Sequence, residues 1–141
     1  MYQEIILDHY RHPLGREQLD DFDVEVHHVN PTCGDEIDLR VKLKDGRIVG
    51  LSHAGQGCSI SQASASVMWD LTHAATVADA LALQAEFLEL MQAQGKAIGD
   101  EDTLGDAVAF TGVAQFPARV KCALLGWMAL KDALAKAMEA K

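Results

Sequence analysis

The sequence predicts an α+β fold in which helices pack on one face of a three-stranded antiparallel sheet. Apolar residues alternate with polar or charged ones in three short stretches between residues 24 and 53, which is typical of strands with one buried face. Before and after this region, apolar residues recur at helical spacing instead. The order helix, sheet, helices follows from these two patterns.

The central region predicts three strands, with one tight hairpin. Residues 24–26 begin the first strand, and residues 37–43 alternate apolar with charged side chains in the second. Asp45-Gly46 predicts a two-residue turn between the second and third strands, because both residues tolerate a positive φ. Val49, Leu51 and His53 are expected to continue as the third strand.

Two helices are predicted to flank the sheet directly. The first spans Tyr2 to Arg11 and ends before His12-Pro13-Leu14-Gly15, because proline and glycine interrupt a helix. After the break at Gly55-Gln56-Gly57, a second helix is expected, with Ser59 or Ser61 as its N-terminal cap.

Two longer helices are predicted in the C-terminal half. One runs from Thr76 to Gln94, beginning with a capping box that Asp79 completes and ending at Gly95. Residues 99–112 are expected to form a loop with a short helical turn. The last helix begins at Pro117, a residue suited to a first turn, and its apolar stripe continues along most of the remaining chain.

Composition and charge bound the class of protein. With 141 residues, of which 49% are hydrophobic, we expect one domain over residues 1–141. The net charge of −9 would repel a phosphate backbone and argues against nucleic acid as a partner. No apolar run is long enough to cross a bilayer, and Met1-Tyr2-Gln3-Glu4 lacks the basic start of a secretory signal. We therefore expect a cytoplasmic protein without a membrane partner.

The chain has three cysteines, Cys33, Cys58 and Cys122. An odd, widely spaced set in a chain that is long enough to bury a core is a poor disulfide framework, so reduced thiols are expected. Burial as small apolar side chains is the simplest alternative. The residues around each cysteine decide between these interpretations.

The surroundings of the cysteines favour a metal site. In an extended stretch Cys33 and Asp35 face the same side, although a turn with a capping aspartate would look alike. Cys58 stands where a helix begins, and the positive end of a helix stabilises a thiolate. Arg119 and Lys121 bring two cations close to the third cysteine, unless they are ordinary solvated charges.

Three thiolates and one carboxylate form a four-coordinate set that suits Zn²⁺. Four anionic ligands around a divalent ion leave a net charge of about −2, which Arg119 and Lys121 would offset from outside the ligand set. None of the six histidines lies at a convincing ligand spacing. His9 and His12 are expected at the surface, near the end of the first helix.

Three segments together resemble the U-type iron–sulfur cluster assembly proteins over nearly the whole chain. They are Asn-Pro-x-Cys-Gly-Asp at 30–35, Gly-x-Gly-Cys-x-Ile-Ser-x-Ala-Ser-Ala-Ser at 55–66 and Phe-Pro-x-Arg-x-Lys-Cys-Ala at 116–123. They look like signatures of the SufU branch. In the related IscU scaffold branch, a histidine typically stands at the position of Lys121, and the chain between the second and third cysteines is shorter. Lys121 and the extra stretch around residues 94–112 therefore favour SufU.

The resemblance implies a SufE/NifU (IscU-like) fold and a zinc-dependent sulfurtransferase that works with a SufS-type, pyridoxal-phosphate-dependent cysteine desulfurase. The family's zinc ligands match four residues: Cys33, Asp35, Cys58 and Cys122. Cys33 also matches the cysteine that receives the persulfide sulfur, with Arg119 and Lys121 as candidate catalytic cations beside the site. In the implied exchange, a histidine of the desulfurase replaces Cys33 at the zinc. The freed thiolate then attacks the outer persulfide sulfur, which later passes to the downstream iron–sulfur assembly machinery.

Two other functions stay open at this point. Three cysteines and an aspartate also suit iron or a [2Fe–2S] cluster, which would make the protein a scaffold for cluster assembly. A purely structural zinc adaptor that carries no sulfur is the second alternative. The oligomeric state and the contacts with a desulfurase do not follow from the sequence.

Overall fold

The structure, a computed structural model, describes residues 2–31, 34–93 and 101–140. Its elements, in chain order, are α1 (Tyr2–Arg11), β1 (Val24–Asn30), β2 (Asp35–Lys44), β3 (Arg47–Gln56), α2 (Ser59–Thr72), α3 (Val77–Gln92), α4 (Glu101–Leu104), a 3-10 helix (Gly105–Gln115) and α5 (Pro117–Ala140). The prediction of an α+β fold with a three-stranded antiparallel sheet is confirmed.

The sheet has the strand order β1-β2-β3, and both pairs are antiparallel. The hairpin prediction is confirmed, because Asp45 and Gly46 have φ values of 53° and 76° and join β2 to β3. At the opposite end of β2, Asn30 pairs with Asp35 across the turn between β1 and β2. That turn and the C-terminal end of β3 therefore lie at the same end of the sheet.

The third strand includes Val49, Leu51 and His53 as predicted, but its pairing is irregular at Val49. Leu43 pairs with Ile48 but Lys42 pairs with Gly50, so Val49 is the extra residue of a bulge and is 50% exposed. Beyond the bulge, Ser52 and His53 are both buried, although they point to opposite faces of the strand. The chain between α1 and β1 explains this, because Leu19 N–H donates to Ser52 Oγ at 3.2 Å from the outer side of the sheet.

The helices bury the inner face of the sheet. Helix α5 packs on β1 and β2, while α2 and α3 pack against α5. Leu39 and Val41 of β2 and Trp127 of α5 are fully buried, and Phe87 of α3 stacks on Trp127 with the ring centroids 4.7 Å apart. No helix among the described residues is long and apolar enough to cross a membrane.

Most helix boundaries follow the sequence prediction. Helix α1 has the predicted bounds, and α5 begins at Pro117. Thr76 caps α3 by accepting the Asp79 N–H at 3.1 Å, as expected. The predicted stop at Gly95 lies outside the described residues. The 3-10 helix replaces much of the loop predicted before α5, because this segment buries five residues in the core: Ala107, Val108, Ala109, Phe110 and Ala114.

His9 is buried, so the expectation that it lies at the surface is wrong. Its ring nitrogens contact Ser66 Oγ at 2.7 Å (Nδ1) and Asp106 Oδ2 at 2.9 Å (Nε2). Both partners are far along the chain, in α2 and the 3-10 helix. Only the packing of α1 against these two elements removes His9 from solvent.

Burial of His53 predicts a loss of stability in acid. Burial lowers the pKa of His53 from 6.5 to about 4, against a smaller opposing effect of the bond between its Nε2 and Leu14 O. Because the unfolded chain takes up this proton first as the pH falls, stability is full above pH 6.5 and is lost as the pH drops toward 4.

Between pH 8 and pH 5 this group should remove about 2 kcal/mol from the free energy of unfolding. Urea denaturation of the metal-free protein at both pH values, in wild type and His53→Gln, would measure it. The variant should lose clearly less stability than wild type, whereas His12→Gln, at an exposed histidine, should behave like wild type. Identical pH profiles for wild type and His53→Gln would contradict the prediction.

Candidate metal centre

The turn between β1 and β2 brings Asp35 into the interior. Gly34 has φ +70°, a left-handed conformation that glycine adopts without strain, and Asp35 follows as the first residue of β2. The Asp35 side chain is fully buried on the inner face of the sheet. Cys33 lies outside the described residues.

The Asp35 carboxylate caps helix α2. Cys58 is the N-cap residue of this helix, and its N–H donates to Asp35 Oδ1 at 2.8 Å. The predicted cap by Ser59 or Ser61 is therefore wrong: Ser59 is the first residue of the helix, and the Ser61 hydroxyl donates to Cys58 O at 3.0 Å. A carboxylate from the sheet satisfies a helix N-terminus that serine satisfies in many proteins.

Glycines allow this close approach of β3 and α2 to Asp35. At Gly55, with φ +143°, a Cβ would collide with the carbonyl oxygen of Glu36 in β2. At Gly57, a Cβ would fall well inside contact distance of Asp35 Oδ1 and of Ser61 Oγ. The space that the Asp35 carboxylate occupies therefore depends on glycine at position 57.

Helix α5 brings the third cysteine to the same place. Cys122 lies in the early part of α5, is 1% exposed, and its Sγ lies 3.7 Å from Ala118 O. Four residues further on, Gly126 lies close to Ala65 of α2 and Ile37 of β2. This close packing holds the start of α5 against the strand that carries Asp35.

Three of the four predicted ligands converge. One ligand atom from each of Asp35, Cys58 and Cys122 lies within 4.8 Å of the other two. Cys58 Sγ is 3.9 Å from Asp35 Oδ2 and 3.9 Å from Ser61 Oγ. The structure describes no position for the fourth, Cys33.

The residues present fit a thiophilic divalent cation. Asp35 is fully buried, and no lysine, arginine or histidine of the described ranges forms an ion pair with it. A buried carboxylate is costly unless a cation or hydrogen bonds compensate it. Two cysteine sulfurs beside one carboxylate form a donor set that suits zinc, whereas Ca²⁺ and Mg²⁺ favour oxygen ligands.

Arg119 and Lys121 lie in the first turns of α5 and are both exposed. Neither takes part in an ion pair within the part of the chain that the structure describes. Their charges therefore stand at the solvent side of the cluster rather than inside it.

Sequence reasoning did not single out Gly57 as a site residue. Its position beside the Asp35 carboxylate depends on how β3 and α2 pack against β2, which no local pattern encodes. The sequence does contain a signal for this role. Gly55 and Gly57 precede Cys58, and glycines in such loops often allow close approach of the backbone to another group.

The chain matches known proteins over most of its length. Residues 1–123 match the family model described as NifU-like N terminal domain. The chain is 42% identical to the zinc-dependent sulfurtransferase SufU of Bacillus subtilis, over 96% of this chain and 90% of that protein. It is 40% identical to the iron–sulfur cluster assembly scaffold protein IscU of Streptococcus pyogenes, over 100% of this chain and 87% of that protein.

A solved structure supports the same assignment. The crystal structure of a SUF-system protein from Fervidobacterium islandicum, described as an iron–sulfur cluster assembly scaffold, superposes with a TM-score of 0.85. It is 32% identical to this chain, and the match covers 93% of this chain and 94% of that structure. The chain therefore belongs to the NifU-like N-terminal domain family, the family of iron–sulfur cluster assembly proteins that includes SufU and IscU.

Proposed function

We propose that this protein is a zinc-dependent sulfur acceptor, which takes persulfide sulfur from a SufS-type cysteine desulfurase for iron–sulfur cluster assembly. The observation that carries the proposal is the convergence of Asp35, Cys58 and Cys122 within 4.8 Å of one another. The 42% identity to a protein named as a zinc-dependent sulfurtransferase, over nearly the whole chain, adds to it.

Four residues would hold the zinc ion: Cys33, Asp35, Cys58 and Cys122. When bound, zinc would keep its cysteine ligands ionised and link the β1–β2 turn to the starts of α2 and α5. Asp35 serves two purposes in this arrangement, since its Oδ1 accepts the Cys58 N–H and its Oδ2 faces the Cys58 sulfur. Loss of the ion should therefore loosen the ends of three elements at once.

Cys33 would accept the sulfur. Its thiolate attacks the outer sulfur of a persulfide on the desulfurase, and a new sulfur–sulfur bond forms on Cys33. The sulfur–sulfur bond of the donor breaks, and its cysteine leaves as a thiolate. The number of disulfide-type bonds and of thiolates stays constant, so the step needs no external oxidant or reductant. Arg119 and Lys121 would attract the negatively charged persulfide to the solvent side of the site.

An apolar groove beside the cluster favours a protein donor over a small molecule. It has a volume of about 580 Å³ and lies between α1, the 3-10 helix and the starts of α2 and α5. Leu7 and Phe116 line it and are 42% and 59% exposed. Ile60 and Arg119, also in its lining, are close in sequence to Cys58 and Cys122. A desulfurase that docked here would bring its persulfide next to the metal ligands.

The test is sulfur acceptance from a SufS-type desulfurase supplied with free cysteine. Alanine release and the sulfur adduct on this protein, the latter by mass spectrometry, are measured with wild type and Cys33→Ala. Zinc content is determined on the same samples. We expect near-stoichiometric zinc and a sulfur adduct in wild type, and alanine release at the level of the desulfurase alone with Cys33→Ala.

Cys58→Ala is the matched comparison, because it also removes one sulfur ligand but keeps the acceptor. A structural zinc adaptor predicts that both variants lose stability alike and that no protein carries a sulfur adduct. If Cys33→Ala stimulates the desulfurase as well as wild type does, the role assigned to Cys33 is wrong.

The second candidate function is a scaffold for cluster assembly. Relatives from Streptococcus pyogenes and Thermotoga maritima, 40% and 38% identical to this chain, are named as such scaffolds. Three cysteines and an aspartate also suit a [2Fe–2S] cluster. A coloured protein with about two iron atoms per chain after anaerobic purification would favour the scaffold, and a colourless zinc protein would favour sulfur transfer.

A further inference from the structure

Asn30 stands directly beside the metal centre. It is the last residue of β1 and pairs with Asp35, the first residue of β2. Both side chains point to the inner face, since Asn30 is 8% exposed and Asp35 is fully buried. Residues paired across antiparallel strands have Cβ atoms about 4.5–5.5 Å apart. The Asn30 amide therefore lies in the same layer of the core as the carboxylate of the ligand set.

The amide nitrogen of Asn30 has no hydrogen-bond partner within the described ranges. Trp127 Nε1 and Glu86 Oε2 are also unpaired there, but Trp127 packs flat on Phe87 in the core between α3 and α5. A buried N–H group without an acceptor is unfavourable and rare in native proteins. Because the Asn30 amide lies next to the candidate metal ligands, its acceptor is expected to be a group that forms when the metal centre is occupied.

The chemistry of the cluster indicates what that acceptor is. Asp35 Oδ1 already accepts the Cys58 N–H. A protonated cysteine is a weak acceptor, whereas a metal-bound thiolate carries a negative charge and accepts N–H bonds well. The set of ligands gains this acceptor only when metal binding removes the thiol protons.

We propose that Asn30 is a positioning residue of the metal centre, whose amide N–H donates to a metal-bound cysteine thiolate. The inference rests on the proposed function, because it requires a thiolate metal site at Asp35, Cys58 and Cys122. The bond draws electron density from the sulfur and offsets part of the negative charge of the ligand set. Partners of this kind outside the ligand set typically contribute 10–100-fold in metal affinity.

The experiment compares wild type with Asn30→Leu, which keeps a similar volume but has no donor. The zinc dissociation constant of the full chain is measured by competition with a chromophoric chelator. Co²⁺ is then bound in place of zinc, and the thiolate-to-cobalt charge-transfer band is recorded. We expect about 10–100-fold weaker zinc binding in the variant and a shift of the band to longer wavelength, because the sulfur is no longer stabilised by the N–H group.

Thermal unfolding of the metal-free proteins separates this role from a structural one. Removing an unpaired buried donor should leave the metal-free Asn30→Leu protein at least as stable as wild type. Gln84→Leu is the matched control, since Gln84 is a buried amide of α3 that donates to Met128 Sδ at 3.4 Å, away from the cluster. It should alter neither the zinc affinity nor the cobalt band.

A second variant, Asn30→Ser, keeps a shorter donor and should lie between wild type and Asn30→Leu in both metal measurements. Unchanged zinc affinity and an unchanged band in Asn30→Leu would overturn the inference while leaving the proposed function intact. Equal loss of stability with and without metal would also overturn it. If wild type itself bound no zinc or cobalt through cysteine, both this inference and the proposed function would fail.

Discussion

Gly57→Ala is expected to remove high-affinity zinc binding without unfolding the protein. The added Cβ would overlap Asp35 Oδ1 and Ser61 Oγ, so the carboxylate must turn away and give up its bond to the Cys58 N–H. The colliding atoms are the ends of side chains, and the backbone of Gly57 does not have a positive φ. The backbone therefore keeps its conformation, and the cost falls mainly on the site.

Zinc affinity should fall by about 100-fold or more, because Asp35, one of the proposed ligands, is displaced. The free energy of unfolding of the metal-free protein should fall by about 1–3 kcal/mol, because the Cys58 N–H and the buried carboxylate lose their bond to each other. Chelator competition measures the first quantity and urea denaturation the second. The matched control is Gly112→Ala, where a Cβ has no atom within 4 Å, and it should preserve both. Wild-type zinc affinity in Gly57→Ala would show that the carboxylate position does not matter for the ion.

The largest effect on stability is expected for Trp127→Ala. The Trp127 side chain is fully buried, and its ring lies nearly parallel to that of Phe87, with an angle of 15° between them. Truncation leaves a cavity at the junction of α3 and α5 and should cost about 3–5 kcal/mol. This is a large part of the 5–15 kcal/mol that is typical for a folded protein.

Urea denaturation of the metal-free variant measures this loss without a contribution from bound ion. Met138→Ala serves as the control on the same helix, because Met138 is 53% exposed and its truncation should change stability by only about 0.5 kcal/mol. A loss below about 1 kcal/mol in Trp127→Ala would mean that the core closes around the missing ring. The packing of α3 on α5 would then be less constrained than the stacked rings indicate.

The sequence predicts which residues form the candidate site, but not the contacts that hold them in place. Asp35, Cys58 and Cys122 are recognisable from residue type and neighbours, and the structure brings them together. Cys33 is recognisable on the same grounds and lies outside the described residues. The unpaired amide of Asn30 was not predictable, because it becomes visible only when the register of β1 on β2 sets it opposite Asp35.

By itself, the sequence determined the features that depend on neighbouring residues. Asp45-Gly46 forms the hairpin because both residues accept a positive φ. Pro117 begins α5 because N–H groups in the first turn of a helix have no partner within the helix, so the missing N–H of proline costs nothing there. Thr76 caps α3 through a bond that spans only three residues. Each of these depends on backbone geometry within a single turn, which local sequence controls.

Only the tertiary structure decided the features that join distant segments. A carboxylate 23 residues away caps α2 in place of a nearby serine, as the bond from Cys58 N–H to Asp35 shows. His9 is buried by partners 57 and 97 residues distant, and Val49 is exposed by a bulge in the strand pairing. In each case the free energy of burying the helices on the sheet outweighs a local preference. The physical reason is that burial depends on which surfaces meet, and the chain settles this only when it folds as a whole.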